Sequence, residues 1–167
     1  MPLKAITNQL NISKALIENL SDEVFNSKIN SQSSTVGAHF RHILEFIEIF
    51  LFDVESSTID YDNRKRNELI ETNRNEAISL IKKLIKTLNN IPANNKDLTI
   101  LETISQANNT FTKAKVSSTF ERELLFLVSH TIHHLGIIKI LCEINGIKTN
   151  EDFGKAASTI SYERKVG

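Results

Sequence analysis

Cysteine is all but missing from this chain: Cys142 stands alone among 167 residues. No disulfide can close within it, and a reducing, cytoplasmic setting is expected. An excess of charge is missing too, because 20 Lys and Arg balance 20 Asp and Glu. That removes any global attraction to nucleic acid or to an anionic membrane, and neither is expected as a partner. No apolar run approaches the length of a membrane span. The N-terminal MPLKAITNQLNISKALIENL is interrupted by Asn, Gln and Glu, unlike the unbroken apolar stretch of a signal peptide. Internal repeats and low-complexity linkers are absent. The length suits one domain, expected over residues 1–167. A hydrophobic content of 40% is enough for a real core and excludes a disordered or fibrous chain.

Four segments carry a helical period. Leu3, Ile6, Leu10, Ile17 and Leu20 follow a three-four spacing broken only by Ser13. Val36, Phe40, Ile43, Ile47 and Phe50 repeat it, after a start at Ser33, Ser34 or Thr35. Ala77, Ile78, Ile81, Leu84, Ile85 and Leu88 form a wide stripe that Pro92 ends. The fourth segment, from about Phe120 to Asn145, is apolar on most faces and should be the most buried. Ser118 and Glu121 read as a capping box at its start, and Asn145-Gly146 as its stop. Between the third and fourth helices, Leu98–Ser105 and Thr110–Val116 alternate around Asn108-Asn109, which predicts a short β-hairpin. Four helices with long connections suggest a bundle with crossovers. The tail from Glu151 has no clear period.

All five histidines lie in two clusters, AHFRH with His39 and His42, and SHTIHH with His130, His133 and His134. Residues four apart stack on one helical face, about 5–6 Å between Cβ atoms. His130 and His134 can therefore occupy neighbouring corners of one metal ion. Helical phase turns both toward the apolar side and His133 nearly opposite, as a surface or rim residue. A third ligand must come from elsewhere, and the second helix carries the other two histidines. Phase places His39 nearer the apolar centre and His42 on its margin, and leaves the choice open. Glu123 has a phase between His130 and His134. It either orders a ligand imidazole or, more plainly, faces solvent in the first turn, where a carboxylate suits the helix dipole. Glu45 and Glu48 read as surface charges, NRKRN (Asn63 to Asn67) as a solvated loop, and Cys142 as a small core residue.

STVGAHFRHILEFIE, STFERELLFLVSHTIHHLGIIKI and the closing EDFGKAAST together resemble the DinB-like superfamily. The resemblance runs from about residue 30 to 162. It implies an all-α four-helix bundle, up-down-down-up, with three histidines holding a divalent metal at one end. Matched residue by residue, the ligands fall on His42, His130 and His134, with His39 the runner-up for the second helix. His39 and His133 then line the rim of a cofactor pocket. The metal would be zinc, nickel or iron, since imidazole ligation suits each. Three neutral ligands and an open position are the catalytic pattern. Some members of the superfamily are metal-dependent thiol transferases that join a low-molecular-weight thiol, such as bacillithiol, to a small electrophile. The resemblance therefore implies an S-transferase acting on a small molecule, and by family habit a homodimer. A non-catalytic metal or small-molecule binding module of the stress response, and a metal-dependent hydrolase, stand as alternatives.

Overall fold

The computed structural model describes residues 2–92 and 96–166. It contains four long helices: α1 (Pro2–Asn19), α3 (Val36–Asp53), α5 (Arg74–Asn90) and α6 (Phe120–Ile144). These are the four periodic segments. The shorter α2 (Asp22–Asn26), α4 (Glu68–Thr72) and α7 (Ala157–Val166) lie between and after them. Each long helix buries the stripe its spacing dictates: Ile6, Leu10 and Ile17 on α1, and Ala77, Ile81, Leu84 and Leu88 on α5. Ser13 interrupts the α1 period but is buried with the stripe.

Caps set the helix boundaries. Thr35 Oγ1 accepts from the Ala38 N–H at 2.9 Å and starts α3. Asn73 Oδ1 accepts from the N–H groups of Asn75 and Glu76 and starts α5. Gly146, with φ of 74°, ends α6, and the Ile147 N–H returns to the Cys142 carbonyl at 2.9 Å. The start of α6 departs from expectation. Thr119, not Ser118, is the cap, and its hydroxyl accepts from the Arg122 N–H. The Ser118 hydroxyl is engaged instead with the Glu123 carboxylate, to which it donates at 2.6 Å. Glu121 is exposed.

The expected hairpin is present. Strand β2 (Asp97–Ser105) pairs antiparallel with β3 (Phe111–Thr119) around Asn108 and Asn109, both left-handed at φ of 64° and 57°. A third strand, β1 (Thr58–Asp60), pairs parallel with β2. The fold is thus mostly helical with a small three-stranded sheet, and the all-α expectation is corrected to that extent. Three residues of β1 are too few to leave an alternation in the sequence.

One core joins these elements. α1 packs on α5 and α6, and α3 packs on the same two helices. Side chains tie the pairs at defined levels. Arg41 on α3 meets Glu71 on α4 at 2.9 Å, and Lys83 on α5 meets Glu48 on α3 at 3.3 Å. Arg74, at the start of α5, donates to the Ile17 and Leu20 carbonyls at the end of α1. Gln9 on α1 donates to the Val128 carbonyl on α6. By length and composition α6 could cross a membrane, contrary to the expectation that no apolar run comes near that length. Here Leu124, Leu127, Leu135, Ile138 and Leu141 are buried in the shared core. The tail folds back onto α6. At Gly154 (φ 72°) an added Cβ would stand 2.7 Å from the Gly136 Cα, so two glycines allow the backbones to touch.

Candidate metal centre

α3 and α6 face each other with their histidines level. His39 Nδ1 stands 3.0 Å from His134 Nδ1, and His42 Nε2 stands 2.9 Å from His130 Nε2. Ascending α3 pairs with descending α6, so the helices run antiparallel here. The three-residue step on α3 matches the four-residue step on α6 because both span about one turn. One ligand nitrogen from each of His42, His130 and His134 lies within 4.8 Å of the others. All four rings are half-buried. His133 is exposed, with its ring centroid 5.1 Å from that of His134.

Electrostatics keep the cluster neutral. Burial, then the neighbouring His134 and Arg64, pushes the His42 pKa down to about 3. Burial, then His133, lowers His130 to about 4, and burial, then His130, lowers His134 to about 4. His39 is lowered for the same first reason, with His133 second. Near neutral pH these rings therefore present lone pairs. Neutral imidazoles converging from two helices are a donor set that fits a divalent ion with an open coordination position.

An aromatic wall fixes the rings. Phe46 packs on His130 with centroids 4.4 Å apart and stacks on Tyr61 at 5.0 Å, while Phe126 stacks on His130 at 5.4 Å. The Tyr61 hydroxyl donates to Glu123 at 2.8 Å, and Ser118 donates to the other carboxylate oxygen at 2.6 Å. Burial and the Glu123 charge hold the Tyr61 hydroxyl protonated, far above its usual range. Glu123 is only 5% exposed. The reading that turned it to solvent is overturned, because β3 and Tyr61 close over the first turn of α6. Its hydrogen-bond partners are these two hydroxyls, and no histidine is among them.

Three other readings change. Glu45 is buried, not a surface charge, and its carboxylate accepts from the Asn67 N–H at 2.7 Å. Glu48 does take surface partners, Lys65 and Lys83. The loop from Asn63 to Asn67 is not simply solvated. Arg64 lies over the Phe46 ring, 4.7 Å from its centroid, and Nη1 donates to His42 Nδ1 at 2.8 Å. Arg64 was lost in the sequence inside a basic run, and Tyr61 sits in a stretch with no period, so neither carried a signal toward the histidines. Cys142 is a core residue, its thiol pushed up to about 11 by burial and therefore inert near neutral pH. Two surface clefts of roughly 480 and 640 Å³ open beside α3 and α5, and no histidine lines either.

Comparison with known proteins agrees with the residues. A 111-residue stretch is 32% identical to a protein of Rhizopus delemar described as FK506-binding protein 5. That stretch is 65% of this chain and 28% of that protein, so the chain spans little more than a quarter of the relative's length. No solved structure matches. The profile of the DinB family matches residues 4–150, nearly the whole sequence, and with the histidine arrangement described above it establishes that this chain belongs to the DinB family.

Proposed function

We propose that this protein binds a divalent metal through His42, His130 and His134 and uses it to transfer a low-molecular-weight thiol to a small electrophile. The observation that carries the reading is the convergence of three neutral imidazoles from α3 and α6. A divalent ion bound there supplies one thing, a thiolate near neutral pH, by lowering the pKa of the thiol. The chain's own residues do the rest. His39 engages His134 Nδ1 and leaves its Nε2 free for the cluster, a positioning role for the runner-up histidine. Phe46 and Phe126 hold the His130 ring and keep water from that side. Glu123 acts one step removed, by holding Tyr61 against Phe46. His133, exposed beside His134, belongs to the pocket rim in this reading.

The same reading treats residues 1–167 as one domain of the family's up-down-down-up bundle, working in the cytoplasm. In support, the rungs between α3 and α6 run antiparallel, as does the contact of Arg74 with the end of α1. From α3, Arg41 meets Glu71 on α4 and Glu48, further along the helix, meets Lys83 on α5, an ascending order that suits a parallel run of α4 and α5 along α3. Exposed Leu125, Ile140 and Ile144 on α6 suit a dimer face, which sedimentation equilibrium tests.

A non-catalytic metal-binding module is the second reading. It is favoured over hydrolysis because, among the described residues, no carboxylate hydrogen-bonds to the cluster, and hydrolysis needs a base beside the attacking water. The test is metal analysis of protein purified without an affinity tag, followed by a thiol-conjugation assay with a fluorogenic electrophile. About one ion per chain is expected, lost in His42→Ala, His130→Ala and His134→Ala. Full metal content in all three variants defeats the ligand set. One ion per chain with no metal-dependent conjugation by any small thiol leaves the binding module.

A further inference from the structure

Among the described residues, Arg64 is the one cation hydrogen-bonded to the histidine cluster, and its chemistry there is wrong for a permanent partner. A guanidinium has only donors. In contact with His42 Nδ1 it needs the lone pair of that nitrogen, which leaves the ring proton on Nε2. His42 Nε2 is the nitrogen facing His130. An imidazole that ligates through Nε2 carries its proton on Nδ1 and needs an acceptor there. Arg64 cannot accept, so it must leave the ring when His42 takes up a metal.

Its surroundings show what it can do next. The guanidinium itself lies over Phe46, its Cζ 4.7 Å from the ring centroid. Nε is buried with no hydrogen-bond partner. The acids nearby are engaged elsewhere: Glu45 by the Asn67 N–H, Asp62 by Lys113 and Thr103, Glu48 by Lys65 and Lys83. Arg64 forms no ion pair among the described residues. A planar guanidinium with free donors, no ion-pair partner and a place at the edge of a site that a bound divalent ion would make cationic matches a carboxylate or a comparable oxyanion.

We propose that Arg64 is a specificity-determining residue that recognises an anionic group on the thiol co-substrate, so that the protein selects carboxylate-bearing thiols over neutral ones. This rests on the metal and thiol reading above. The ligand is then doubly anionic, a thiolate at the open metal position and a carboxylate on Arg64.

The experiment replaces the metal with cobalt(II) and follows the thiolate-to-cobalt charge-transfer band during titration. The probes are 3-mercaptopropionate and its neutral counterpart 3-mercaptopropanol. The wild-type protein is expected to bind the carboxylate thiol at least about tenfold more tightly, the scale of one charge-assisted hydrogen-bonded pair. In Arg64→Gln the ratio of the two Kd values falls to within about twofold of unity, and Arg64→Lys retains part of it. The ratio corrects for any general weakening of the cobalt site. Equal affinities in the wild-type protein overturn the proposal without any variant, and so does an undiminished preference in Arg64→Gln. Failure to take up cobalt, or no charge-transfer band with either thiol, overturns the metal-thiol reading itself, and the role of Arg64 falls with it.

Discussion

Gly37, two residues before His39, sets helix propensity against packing with opposite signs. It lies in the first turn of α3, where Ala is favoured over Gly by about 1 kcal/mol. On propensity alone Gly37→Ala stabilises the protein. Yet a Cβ at this position would stand 1.9 Å from the Glu71 carbonyl oxygen and 2.6 Å from Phe25 Cε1. Reaching even 3.0 Å from that oxygen requires α4 to retreat by at least 1.1 Å. A side chain could rotate away, but a backbone carbonyl at the end of a helix cannot. The retreat also draws buried Ile70 from the core and strains the Arg41–Glu71 pair. Overpacking of this kind costs about 1–3 kcal/mol. The upper end applies to a backbone collision, so the net effect is a loss of about 2 kcal/mol after the propensity gain. For a chain of this size that lowers Tm by roughly 4–8 °C. Thermal unfolding followed by circular dichroism, with urea denaturation alongside, reads the difference. An Arg41→Gln control separates loss of the ion pair from the collision. A Gly37→Ala protein that melts at or above the wild-type temperature refutes the close approach of α4 to α3.

The metal-free protein should lose stability as pH falls from about 6.5 toward 4. The cluster's histidines are held neutral when folded and bind protons once unfolded, so the unfolded state carries more protons in that window. His42→Gln should flatten the slope by up to about 1.4 kcal/mol per pH unit, and urea midpoints that rise on acidification would contradict this. Tyr61→Phe removes one of the two hydroxyl donors to buried Glu123 and should cost about 1–3 kcal/mol in urea denaturation. A change below about 0.3 kcal/mol would mean the carboxylate is satisfied in another way. Gly154→Ala places a side chain in the left-handed region and against the Gly136 backbone, and should release the closing segment from α6. Amide hydrogen exchange over residues 151–156 should accelerate about tenfold or more, and unchanged protection would refute the contact.

The long helices were legible because each has an apolar stripe with the period of the α-helix, and the stripe is buried where the spacing places it. Stop signals such as Asn145-Gly146, and the hairpin turn at Asn108-Asn109, are local chemistry, legible for the same reason. The five histidines could be grouped by position in the chain alone, since their spacing along α3 and α6 is a one-dimensional fact. What joins His42 to His130 and His39 to His134 is not. It depends on histidines 88 and 95 residues apart in sequence meeting at matched levels on two helices, which the packing of four helices decides. The same holds for the polar groups misjudged from phase. Glu45 and Glu123 lie on margins that look solvated on an isolated helix, until a loop N–H covers one and a tyrosine and a strand end cover the other. Arg64 is one residue in a basic loop until Phe46 gives it a surface to lie on. The sequence by itself determined where the four long helices run and which residues can carry metal chemistry, because both follow from local spacing and side-chain type. Only the tertiary structure decided which of those residues meet, which are shielded from water and which nitrogen each imidazole offers, because burial and contact belong to pairs of segments that the chain order does not bring together.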